Sequence, residues 1–166
     1  MANTHFATSG VLSANLGEVD TTARHRVGEV VKGNNASEWV YVYSSGVIAQ
    51  YALVAIEIGG TATPATHANT RAGNSLGLAQ VAFATAEYGW VATEGNSLRV
   101  NTLAAEAIGV TLYTTDTAGA VADATASASA ATIFGLTLVA TASGTTASNA
   151  AVIARNMVVR KTIVDA

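Results

Sequence analysis

The side chains able to do acid–base or metal chemistry are few: three histidines and eleven carboxylates in 166 residues. His5, His25 and His67 lie far apart in polar stretches, and none belongs to an H-x-H or H-x-x-x-H pair, so no zinc site is prefigured. Glu18 and Asp20 stand two apart in a loop-like stretch, and Asp116 and Asp123 flank Gly119 without the ligand series of a calcium loop. The spacing leaves one catalytic arrangement open, a pair of carboxylates brought together from distant parts of the chain for glycoside chemistry. With no cysteine there is no thiolate nucleophile and no thiolate-bound zinc. Gly73-Asn74-Ser75-Leu76-Gly77 lacks the lysine of a phosphate-binding loop and leads into a strand rather than a helix. Asn35-Ala36-Ser37 is a glycosylation sequon that matters only in a eukaryotic secreted chain. The expectation is a protein without catalytic residues, cofactor or metal.

The elements that would carry a function must come from an unusual composition. Only 11% of residues are charged, against about 25% in ordinary soluble domains. Half are hydrophobic, much of that alanine, and Thr, Ser, Asn and Gly supply most of the rest. A short-chained, nearly neutral surface loses little side-chain entropy on burial against a neighbour. That fits an assembly subunit and a secreted or extracellular β-domain equally. The net charge is −3 and the eight basic residues are scattered, which argues against nucleic acid as a partner. Met1 to His5 shows no signal-peptide pattern, and the longest apolar stretch, Val47 to Ile58, is too short for a membrane helix.

Residues 1–35 are polar and glycine-punctuated, with apolar pieces at Val11-Leu12 and Val27 to Val31, and read as an extended N-terminal arm ahead of a domain over 36–166. Trp39-Val40-Tyr41-Val42-Tyr43 is a strong strand signal, every residue being β-branched or aromatic. A bent strand is expected over Val47 to Ile58, a polar loop over Thr61 to Asn74, and strands at Leu76 to Ala84 and Trp90 to Thr93. Glu94-Gly95-Asn96 reads as a turn before a strand at Leu98 to Asn101. Leu103 to Ala107 permits a helical turn, Gly109 to Thr114 alternates as a strand with Val110 and Leu112 inward, and Thr117 to Ala131 reads as a low-complexity loop. Ile133 to Ala140 and Val152 to Val159 close the domain around a loop at Thr141 to Asn149. About eight strands without βαβ spacing define an all-β fold, a single β-sandwich or barrel-like domain with long loops.

Several phrases resemble the capsid decoration, or cement, proteins of tailed phages: His25-Arg26-Val27-Gly28, Glu38 to Val42, Gly77 to Gln80, Tyr88 to Gly95 and Gly109 to Thr114, collinear along roughly residues 25–135. The resemblance implies a β-rich, non-catalytic subunit on the outer capsid surface of a virion, with the major capsid protein and further copies of itself as partners, as a homotrimer or alternatively a dimer. The Ala/Ser/Thr tract at Thr117–Ala131 departs from the family's commonest form, and Val152 to Lys161 matches nothing diagnostic.

The residues expected at such an interface are Phe6, Val11 and Leu12 on the arm, and Trp39, Tyr41, Tyr88 and Trp90 among the strands. For the aromatics, core packing is the competing role. Residues 2–20 of the arm are expected to add a strand to a neighbour's sheet edge. The rival readings are another virion module such as a head-fibre base or tail component, a surface adhesin domain, and a hydrolase with dispersed acids.

Overall fold

The computed structural model describes residues 14–70, 74–103, 106–123, 130–141 and 148–160. It is all-β, a mixed sheet of eleven strands. These are β1 (Val19–Asp20), β2 (Val30–Lys32), β3 (Glu38–Ser44), β4 (Leu53–Ile56), β5 (Thr61–Pro64), β6 (Ser75–Leu78), β7 (Tyr88–Thr102), β8 (Leu112–Thr114), β9 (Ala120–Ala122), β10 (Thr132–Leu138) and β11 (Ser148–Arg160).

The fifteen-residue β7 organises the molecule. Its first half joins β3, β5, β4 and β6 in a closed circuit of pairings, β7–β3–β5–β4–β6–β7. Its second half joins β9, β8, β10 and β11 in another, β7–β9–β8–β10–β11–β7. Two strand rings therefore share one strand, and closure hides most of the sheet edges an open sheet would expose.

Alternation along the strands feeds two cores. Val42, Val54, Ile56, Ala62 and Val91 face the first ring's interior, capped by Ile48 and Phe83. Their strand neighbours Trp39, Tyr41, Leu53, Ala55 and Trp90 face the other way, into a larger core shared with Leu98, Val100, Leu112, Val121, Ile133 and Val152 of the second ring. For this reason β4 is apolar on both faces, with Leu53, Val54, Ala55 and Ile56 all buried.

Several expectations are corrected. Glu94-Gly95-Asn96 is no turn: the chain stays in β7, and the extra residues form a bulge where Val152–Ala154 of β11 faces Gly95–Leu98. The expected strand over Val47 to Ile58 is broken, because Ile48 makes one isolated bridge to Phe83, the chain turns at Tyr51 with φ 64°, and only Leu53–Ile56 is extended. The expected loop over Thr61 to Asn74 begins as β5, parallel to β3, with Pro64 at the strand's last position where a missing N–H is tolerated. Within Thr117 to Ala131, Ala120–Ala122 is a buried strand; residues 124–129 lie outside the described residues, as do 142–147 and most of the loop expected there. The helical turn expected at Leu103 to Ala107 also falls partly outside them.

Residues 1–13, including Phe6, Val11 and Leu12, lie outside the described residues. From Ala14 onward the expected arm belongs to the domain. Ala14, Leu16 and Val31 are buried in the larger core, β1 pairs with β7, and β2 and β3 form a hairpin across the expected boundary at residue 35.

Candidate interaction surface

The first ring opens at one end into a groove of about 310 Å³. Val30 of β2, Val40 of β3, Ile56 of β4, Leu76 of β6, and Met157 and Val158 of β11 supply its apolar lining. Val30 is 51% exposed and Val158 45%. The strip continues onto β10, because Phe134 is the cross-strand partner of Val158 and is itself 45% exposed. The Arg160 guanidinium lies 5.3 Å from the Phe134 ring centroid. Exposed valine and phenylalanine in adjacent strands make a contiguous apolar surface of the kind that marks contact sites.

The charged lining of the groove is wholly acidic. Glu38 and Glu94 are register partners on β3 and β7. Thr93 Oγ1 donates to the Glu38 backbone carbonyl at 3.2 Å and lies 3.4 Å from Glu38 Oε1. The Asn156 N–H donates to Glu94 Oε1 at 3.3 Å. Lys32 stands opposite Glu38 in the hairpin register, yet among the described residues neither glutamate is in an ion pair. Like charges directly opposite across strands repel, and Lys32, the one cation in register with them, makes no ion pair with either among the described residues.

β2 borders the groove and has no strand on its far side among the described residues. The Glu29 carbonyl accepts from Tyr41 N–H and Gly33 N–H donates to Ser37 carbonyl, both towards β3. Backbone groups of alternate residues in an antiparallel ladder point to opposite sides. The N–H and C=O of Val30 and Lys32 therefore face away from the sheet.

The aromatic residues expected at an interface gather elsewhere. Trp39, Tyr41 and Trp90 are buried, and Tyr88 is half-buried. Tyr41 and Trp90 rings pack 5.0 Å apart, Tyr88 stacks on Tyr41 at 6.3 Å, and His25 meets both Tyr41 and Trp90 edge-on at 5.1 Å. Trp39 Nε1–H donates to Ser37 Oγ at 2.9 Å. These side chains occupy the core of this chain.

The remaining polar groups pair locally. Arg24 bridges Asp20 at 2.9 Å and Glu18 at 3.7 Å. His67 Nδ1 lies 2.6 Å from Asp116 Oδ1 without the alignment of a hydrogen bond. The Glu106 carboxylate accepts from the Asp123 N–H at 2.8 Å. Among the described residues no three His, Asp or Glu side chains converge as a metal cluster.

Reasoning from sequence missed Val30, Ile56, Phe134 and Val158. The signal that was there is Glu29-Val30-Val31-Lys32, where alternation puts Val30 on the same face as Lys32. No family model matches the chain, and no curated protein or solved structure matches it.

Proposed function

We propose that this chain is a capsid decoration protein: a subunit that binds the outer surface of a tailed-phage head and works by adding contact area. The observation that carries the reading is the exposed apolar strip of Val30, Val158 and Phe134 on a strand-built domain. Burial of such surface is worth about 25 cal/mol per Å². Many copies on one shell turn a modest contact into a durable one, since binding at linked sites multiplies. The low charge of the chain and the collinear phrases along residues 25–135 support the same reading. In it the major capsid protein and neighbouring copies of the chain are the partners, and a trimer follows from the family resemblance.

The test is sedimentation with expanded heads that lack the protein, assembled from the major capsid protein of the same virus. The chain should pellet with them to saturation. The double variant V30K/V158K, charged at two exposed positions, should keep the wild-type circular dichroism and bind at least about tenfold more weakly. A wild-type chain left in the supernatant overturns the proposal, and undiminished pelleting of the variant removes the apolar strip from it.

A further inference from the structure

The groove combines three features that point to one kind of occupant. It is apolar along Val30, Val40, Ile56 and Val158; the charged side chains that line it among the described residues are the facing carboxylates of Glu38 and Glu94; and β2 beside it turns backbone groups of Val30 and Lys32 towards a side that no described strand occupies. A compact apolar ligand would satisfy the first and leave the other two unused. A strand satisfies all three. Its backbone pairs with the β2 edge, and its alternate side chains fall on the groove side. A cationic side chain over Glu38 and Glu94 relieves the repulsion between them.

We infer that the groove receives an extended segment of a partner protein that pairs with the free edge of β2, lays alternate apolar side chains over Val30, Val40 and Val158, and sets a lysine or arginine over Glu38 and Glu94. The inference deepens the decoration reading by naming the kind of segment that the shell would present. The charge pattern excludes an acidic segment. Lys32, in register with Glu38 on this edge, discourages indiscriminate pairing, and the recognition element is a cation that reaches past it to the two carboxylates.

Two blocked synthetic peptides serve as probes, Val-Thr-Val-Thr-Val-Lys and the same sequence ending in Glu, titrated into the full chain while methyl and amide NMR signals are followed. The lysine peptide should shift the methyls of Val30, Ile56, Met157 and Val158 and the amides of Val30 and Lys32. The glutamate peptide should bind at least about tenfold more weakly. In E38Q/E94Q the two peptides should become equivalent, with thermal stability no lower than wild type. Equal binding of both peptides to the wild-type chain overturns the inference, as do shifts confined to other surfaces. Concentration-dependent shifts of the groove methyls without peptide assign the groove to a second copy and also overturn it. Heads that bind wild type and E38Q/E94Q equally, with no peptide response, remove this inference and leave the decoration reading. A peptide response in a chain that ignores heads does the reverse.

Discussion

Ala36 sits at φ 52° beside Asn35 at φ 54°, in the turn that joins β2 to β3. Two successive left-handed residues closed by the Ser37 N–H to Asn34 carbonyl bond at 3.1 Å make a type I′ turn, whose twist suits a hairpin. Asparagine tolerates that conformation, whereas an alanine methyl there costs about 1 kcal/mol. Ala36→Gly creates the preferred Asn-Gly pair, and part of the gain is lost to the greater freedom of glycine in the unfolded chain. The variant should be more stable by about 0.5 kcal/mol, a rise of roughly 1–2 °C in Tm. A melting curve at or below the wild-type value would show that the turn is not under this strain. Because the hairpin holds Val30 against Val40, the same residue also sets one wall of the groove.

Phe134 and Val158 reach the surface because their strands are irregular. In an unbroken β10, Phe134 and Leu136 would share a face. Instead Gly135, at φ 80°, is opposed by three residues of a bulge in β11, Arg155 to Met157, and Ile133 and Leu136 are both buried while Phe134 points out. On β11, Asn156 at φ 43° does the same: Ala154 and Met157 are both buried, and Val158 is turned outward. A Cβ on Gly135 would collide with the Arg155 carbonyl oxygen. Gly135→Ala must therefore straighten or displace the bulge and should cost at least about 3 kcal/mol in chemical denaturation; a loss below about 1 kcal/mol would mean that the bulge is easily remodelled. The same irregularities explain what could be read in advance. β3 was legible because Trp39 to Tyr43 are all strand formers, and β8 because Leu112 and Tyr113 alternate cleanly. The single strand β7 was not, since Gly95-Asn96 has the chemistry of a turn and only the facing β11 makes it a bulge. β5 was hidden by Pro64 at its end and β9 by a run of small residues that pairs on one side with nearby β8 and on the other with distant β7. The groove was illegible for a further reason: period-two reading assigns Phe134 and Val158 to the wrong faces once a bulge intervenes, and no local pattern shows that Glu38 will meet Glu94.

Across the whole molecule, the sharing of β7 ties the two cores together. Val91 points into the first ring's interior and Val100 into the larger core, and both are fully buried. Neither ring can lose β7 and stay closed. Val91→Ala and Val100→Ala should each cost about 2 kcal/mol and shift one common transition, with tryptophan fluorescence and far-ultraviolet circular dichroism superimposing in urea for both variants. Two separated transitions would show that the rings fold as independent units. Most of the pairings, including β7 with β11 and β3 with β7, join residues distant in sequence, so folding is expected to be slow for a chain of this length.

Tension adds a last consequence of the common strand. Stretching the molecule along β7 bears on its hydrogen bonds to β3 over the first half and to β11 over the second, so the bonds of each ladder resist as a group in shear and do not peel away one after another. A domain built this way is stiffest along that axis, and in the decoration role proposed above it would reinforce a strained surface best when laid with β7 along the direction of stretch.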